Sequence, residues 1–327
     1  MIGDKVSLKP FSPSIQASIR EVETLMRAQG MGHDQELQAA LEHLIQAGGK
    51  RIRPALVLLT GQMLGAEHAR LVTTAAAIEM LHTATLVHDD LIDGALLRRG
   101  NPTLNSHWSP AATVLTGDFV FARAAKLAAE TDCLPLMKAF AQTLAIIVNG
   151  ELTQLFSSRG LADRMNYDER IHAKTASLFE MSTRAAAMIS PQVEVYEEKI
   201  SLFGLKIGMA FQIVDDILDF TGEQEAVGKP VGSDLLQGLI TLPTLYYIET
   251  NPNDSNVAIL LNGNYGNEQK AMENLVQSIR KSDCIEMAHR DARNLVDEAV
   301  TNLADMPEGE ERQALKDLAN YIVARQH

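Results

Sequence analysis

Apolar residues in this chain return every three or four positions over long runs, and glycine and proline fall between the runs. That spacing lays an apolar stripe along a helix, whereas a half-buried strand needs strict alternation. It predicts helices over 13–30, 34–47, 53–64, 68–93, 110–130, 133–158, 167–189, 191–220, 234–249, 268–281, 284–305 and 308–325. Short β-branched runs such as 146–148 sit inside longer helical patterns, and 5% aromatics weigh against a β-sandwich. The reading is all-α. Pro54 suits a first helical turn, Gly65 a helix end, and Pro191 a new start. The stretch 250–268, rich in Asn and Gly, is the most loop-like. It separates a body at about 30–250 from C-terminal helices at about 265–327 without a linker, so one domain over 1–327 is expected.

Composition narrows the function. At 46% hydrophobic and 22% charged, 327 residues can bury a substantial core and are too apolar for a disordered chain. A net charge of −13 argues against duplex nucleic acid, whose phosphates need a basic surface. Cys133 and Cys284 cannot build a disulfide or zinc framework. The start, MIGDKVSLKPF, lacks a signal-peptide core, and no apolar run is long enough to span a bilayer. A cytoplasmic protein is expected.

One short pattern occurs twice: Asp89-Asp90-Leu91-Ile92-Asp93 and Asp215-Asp216-Ile217-Leu218-Asp219. On a helix, Asp89 stands beside Asp93 and Asp215 beside Asp219. A solvated acidic face explains one such DDxxD; two copies, each following an apolar run, point elsewhere. Carboxylates on a largely buried helix need counter-charge or their pKa values rise, and Mg²⁺ is a hard cation that prefers oxygen ligands. Opposed across a cavity, the two clusters would hold metal ions on a diphosphate.

Cations cluster where such an anion would want them. Gly48-Gly49-Lys50-Arg51-Ile52-Arg53-Pro54 puts three of them in a glycine-led loop opening a helix. Arg98-Arg99-Gly100 follows the first cluster, and a salt bridge to the aspartates is its plainer explanation. Lys174-Thr175 and Gly228-Lys229 add two more. Gln212 and Gln154 are amides on apolar helices that need partners, either a neighbouring helix or an anion. Asp118 is expected to pair structurally.

GGKRIRP, HDDLID with RRG, GELTQ, KTASLF, FQIVDDILD and GKPVGSDL, in this order, resemble the trans (E)-isoprenyl diphosphate synthases. The resemblance, strongest over about 40–250, implies antiparallel helices around a deep central cavity, with the aspartate clusters facing each other at its mouth. It implies Mg²⁺-dependent head-to-tail condensation: an allylic diphosphate ionises, isopentenyl diphosphate attacks the allylic cation, and a proton is lost. Asp89, Asp90, Asp93, Asp215, Asp216 and Asp219 match the family's metal positions, with Asp90 and Asp216 less direct than the i,i+4 pairs. Arg98, Lys174 and Lys229 match donors to the allylic diphosphate. Lys50, Arg53, His82 and Arg99 match the isopentenyl-diphosphate site, with Phe211 beside it. Thr175 and Gln212 match polar groups near the developing cation. His82 by itself would read as a satisfied core histidine. A homodimer, and peripheral membrane contact through a lipid product, are also expected.

Two departures discriminate among members. Two residues, not the four usual in bacterial farnesyl-diphosphate synthases, separate Asp90 from Asp93. Leu239 stands where many members carry lysine, so one cationic contact is missing or comes from elsewhere. Behind Asp89, the path of a growing chain passes Thr85, Ala84, Leu81 and Met80; short-chain relatives place aromatics at the positions of Thr85 and Ala84. Small residues there, continued by Ala75, Ala76 and Ala77, suit either an open tunnel or close helix packing. A product of about six to ten isoprene units is expected on steric grounds, with Met80, Ile146 and Ile147 as floor candidates. The alternatives are a geranylgeranyl diphosphate synthase and, in a different class, a non-catalytic partner subunit of a heteromeric synthase, which predicts damaged aspartate clusters.

Overall fold

The computed structural model describes residues 11–98, 100–156, 163–222 and 231–325. Among them, the helices are α1 (Pro13–Ala28), α2 (Gln35–Gln46), α3 (Ile52–Met63), α4 (His68–Ile92), α5 (Pro110–Ala129) and α6 (Leu134–Phe156). Then come α7 (Arg164–Ile171), a π-turn (His172–Ala176), α8 (Ser177–Met188), α9 (Val193–Thr221) and α10 (Ser233–Leu236). The last are α11 (Leu242–Thr250), α12 (Ser255–Leu261), α13 (Gln269–Arg280), α14 (Cys284–Asn302) and α15 (Glu310–Ala324). The extended pairing among described residues is β1 (Leu97–Arg98) with β2 (Asn101–Pro102), antiparallel, Arg98 opposite Asn101. The fold is all-α.

Local chemistry sets many of the starts. Ser12 accepts a hydrogen bond from the Ile15 amide with Pro13 in the first turn, and Ser109 does the same for Ala112 ahead of Pro110. Asp34, Asp163 and Asp254 cap α2, α7 and α12.

Three stretches differ from the periodicity. The helix expected over 167–189 begins at Arg164, where Asp163 supplies the cap, and a π-turn interrupts it. The helix expected over 234–249 is two, because Gly238 adopts φ +78° and Pro243 opens α11. The loop-like 250–268 contains α12, started by the Asp254 side chain.

The backbone falls into two compact units. The first comprises Met1–Thr143, Leu178–Ser201 and Asp305–Leu318; the second comprises Leu144–Ser177, Leu202–Ala304 and Ala319–His327. In the first unit α4 packs along α5. Ala75, Ala76, Ala77, Met80, Leu81 and Ala84 of α4 are all at most 2% exposed. The helices approach so closely that a Cβ at Gly117 would lie 2.3 Å from the His88 ring, which glycine alone avoids. The second unit buries Phe203, Ile207, Ile213, Val214, Ile217 and Phe220 of α9.

Candidate active site

Both aspartate clusters end a long helix. Asp89 and Asp90 lie in the last turn of α4 and Asp93 is its C-terminal cap; Asp215, Asp216 and Asp219 lie in the last two turns of α9. Helix C-termini carry partial negative charge, so three carboxylates there repel both one another and the dipole. No basic residue occupies either last turn. Two sets of three carboxylates, offering oxygen donors only, fit a hard divalent cation. Among the described residues, no three Asp, Glu, His or Cys side chains converge to ligating distance. The carboxylates lean instead on the chain's own donors.

In the first unit, Asp90 is 8% exposed and accepts from Arg98 Nε at 2.8 Å. Arg98 reaches it from β1, whose hairpin is tied back by Thr103 Oγ1 donating to the Ala95 carbonyl and by the His43 ring on the Pro102 carbonyl. Arg99 lies outside the described residues. Asp93 is exposed and Asp89 half-buried. His82 and Lys50 are half-buried, and the Arg53 guanidinium lies over the Phe179 ring at 4.7 Å. Beside Arg53, Arg51 is buried with Glu79 and Glu23; burial lowers its pKa, but the two carboxylates more than offset that and raise it. Met80 and Ala84 are buried and Thr85 is half-buried, its hydroxyl donating to the His82 carbonyl. Asp118 pairs with His88 at 3.3 Å, the structural role expected of it.

In the second unit, a chain of hydrogen bonds converges on Asp216. Thr175 Oγ1 donates to Gln212 Oε1 (2.6 Å), Gln212 Nε2 to Asp216 Oδ1 (2.8 Å), and Tyr167 Oη to Asp216 Oδ2 (2.8 Å). Burial, with the Asp234 charge, pushes the Asp216 carboxyl up to about 7 against the opposing hydrogen bonds from Gln212 and Tyr167. Asp215 pairs with Arg325 at 2.9 Å, and that guanidinium also covers the Phe211 ring (3.9 Å) and donates to the Phe211 carbonyl. Asp219 caps α10, accepting from Ser233 N, Ser233 Oγ and Asp234 N. Lys174 donates to Glu151 of α6 at 3.0 Å. The π-turn presenting Lys174 and Thr175 meets α6 so closely that a Cβ at Gly150 would lie 2.5 Å from Ala173 Cβ. Lys229 lies outside the described residues. Ile147 is 6% exposed and Ile146 37%.

The structure brings Arg98, expected as a donor to the diphosphate, onto Asp90, and joins Thr175 and Gln212, expected near the developing cation, to Asp216. Sequence reasoning missed Tyr167, Arg325 and Ser233 as partners of the second cluster. Tyr167 was visible as the one aromatic in the polar segment RMNYDERI, and Arg325 as the one cation in NYIVARQ.

Residues 34–281 match the family model described as Polyprenyl synthetase. Heptaprenyl diphosphate synthase component 2 of Bacillus subtilis (strain 168) is 38% identical over 284 residues, 86% of this chain and 81% of the relative. The chain belongs to the polyprenyl synthetase family. Among solved structures, heptaprenyl diphosphate synthase from Staphylococcus aureus matches with a TM-score of 0.90 at 33% identity, covering 96% of this chain and 99% of that one. A polyprenyl synthase from Caulobacter crescentus CB15, complexed with calcium and isoprenyl diphosphate, matches with a TM-score of 0.90 at 33% identity, covering 99% and 100%. The synthase has the all-α isoprenoid-synthase fold and is a prenyltransferase of the polyprenyl diphosphate class. Among its described residues, no helix is long and apolar enough to cross a membrane.

Proposed function

We propose that this synthase is a magnesium-dependent trans-prenyltransferase that joins isopentenyl diphosphate head-to-tail to an allylic diphosphate, giving a product longer than C20. The observation that carries the reading is the pair of intact DDxxD clusters at the C-terminal ends of two long helices, each with an arginine against it. Asp89, Asp90, Asp93, Asp215, Asp216 and Asp219 are the residues that would hold Mg²⁺, with Asp90, held by Arg98, and Asp216, held by Gln212 and Tyr167, less direct than the i,i+4 pairs. Bound magnesium supplies charge that stabilises the departing diphosphate.

The remaining roles belong to the chain's own groups. Arg98, Lys174 and Lys229 bind the allylic diphosphate, while Lys50, Arg53, His82 and Arg99 hold isopentenyl diphosphate with Phe211 beside it. The Thr175 hydroxyl orients the Gln212 amide, so both present polar groups toward the developing cation while apolar neighbours exclude water. Leu239 supplies no charge to the allylic site. Met80, Ala84 and Thr85 leave the path behind Asp89 without an aromatic plug, which supports about six to ten isoprene units. Val148, Leu152, Leu155 and Phe156 give α6 an exposed apolar stripe, 44–79% accessible, that supports assembly as a homodimer. Synthesis in the cytoplasm, with peripheral membrane contact through the lipid product, fits this chemistry.

The test is purified chain with Mg²⁺, labelled isopentenyl diphosphate and farnesyl diphosphate, with products sized by mass spectrometry. Incorporation by the chain alone, abolished by chelator, supports the reading and dispenses with a partner subunit. A product stopping at C20 refutes the length, and an unchanged product from Ala84→Phe refutes the path behind Asp89.

A further inference from the structure

Arg51, the residue before α3, has φ 49° and ψ 34°, a left-handed conformation strained for a residue with a Cβ. Its side chain is 4% exposed, and all three guanidinium nitrogens are engaged. Nε donates to Glu23 of α1 at 2.9 Å, Nη1 to Glu79 of α4 at 2.8 Å, and Nη2 to the Ile45 carbonyl of α2 at 2.7 Å. The charges alternate outward, since Glu23 also meets Arg27 at 3.8 Å and Arg27 meets Glu42 of α2 at 2.9 Å. Buried ion pairs seldom add net stability over apolar packing, and a left-handed arginine adds backbone strain. What the planar fork does supply is direction: three fixed donors locking one loop to three helices.

We propose that Arg51 is a positioning residue for isopentenyl diphosphate: it ties the 48–53 segment to α1, α2 and α4 and so aims Lys50 and Arg53. It touches no substrate itself. The proposal rests on the functional reading of Lys50 and Arg53 given above.

The experiment uses the full chain with Mg²⁺, comparing wild type, Arg51→Gly, Arg51→Lys and Glu23→Gln by steady-state kinetics and thermal melting. Glycine adopts positive φ freely, so Arg51→Gly removes the tether without straining the backbone. The expected result is a KM for isopentenyl diphosphate raised about tenfold and an allylic KM changed less than about threefold, together with a lowered melting midpoint because Glu79 stays buried without its partner. Arg51→Lys, keeping charge but not the fork, falls between. A folded Arg51→Gly with an unaltered isopentenyl-diphosphate KM overturns the proposal, as does an equal rise in both KM values. If Arg51→Gly does not fold, Glu23→Gln loosens the tether at its more accessible end and should raise the same KM about threefold; no change there overturns it. Arg53→Gln separates the two readings. If wild type is active and Arg53→Gln leaves that KM alone, the assignment of this loop fails and the proposal with it; an inactive wild type overturns the functional reading itself.

Discussion

The two DDxxD clusters have the same letters, the same i,i+4 geometry and the same place at a helix C-terminus, yet the chain treats them differently. The first is open. Asp93 is exposed at the end of α4, Asp89 is half-buried, and Asp90 leans on Arg98, itself 38% accessible on a two-residue hairpin. The second is wired in. Asp216 is enclosed by Tyr167 and Gln212, Asp215 holds a guanidinium whose side chain is 3% exposed, and Asp219 caps α10. A motif therefore sets which oxygens share a face, while tertiary partners set how firmly each is held. The first cluster meets Arg98 on a short hairpin, whereas the second meets Tyr167, Gln212, Arg325, Ser233 and Asp234.

If both clusters serve the same reaction, catalysis should not distinguish them. Asp89→Asn and Asp215→Asn should each lower turnover by at least about 100-fold, roughly 3 kcal/mol of lost electrostatic stabilisation. Single-turnover assays at saturating Mg²⁺ check this. A variant of either cluster keeping more than a tenth of wild-type turnover breaks the equivalence.

Stability should distinguish them sharply. Because the folded-state pKa of Asp216 is raised to about 7, the folded chain holds a proton that the unfolded chain releases from about pH 4 upward. Its contribution is therefore fully present below about pH 4 and is lost as pH rises through about 7, bounded at roughly 4 kcal/mol by the size of the shift. In chelator, denaturant melts of wild type minus Asp216→Asn should show this fall, since the amide cannot ionise and the Tyr167 hydroxyl can turn to accept from it. A pH-independent difference between pH 4 and 8 excludes Asp216 as the cause. Tyr167→Phe leaves one Asp216 oxygen buried without its donor, costing about 1–3 kcal/mol at pH 8 and less at pH 5, where the carboxyl is protonated. Equal losses at the two pH values would mean the hydroxyl contributes only packing.

How much of this was legible depended on range along the chain. The long helices and both carboxylate faces follow from spacings of three and four, which are local, and so they stand in the sequence. The break at 237–241 was also written there, in Gly238 and Pro243, but apolar periodicity on both sides outweighed it. Asp254 signalled α12 in the same way and was masked by Asn and Gly around it. The π-turn at His172–Ala176 has no such signal; its Ala173 packs against Gly150, a residue distant in the chain. Likewise the partners of Asp216 and Asp215, Tyr167 and Arg325, come from distant segments that meet the cluster only when the second unit folds. The sequence could name the carboxylates but not how deeply each is held.

The smallest expected effect is also the cleanest contrast. Asp93 caps the C-terminus of α4, exposed, four residues beyond Asp89 and against the helix dipole. Removing its charge relieves both repulsions, so in chelator Asp93→Asn should be about 0.5 kcal/mol more stable than wild type, and less so as salt is added. Asp219→Asn should instead lose about 1 kcal/mol, because the amide can no longer accept on both sides from Ser233 and Asp234. Chemical denaturation of both variants at low and high salt reads the two signs directly. Should Asp93→Asn also be destabilised, the first cluster would have a structural duty of its own, and the division between an open carboxylate set and a wired one would fail at its exposed end.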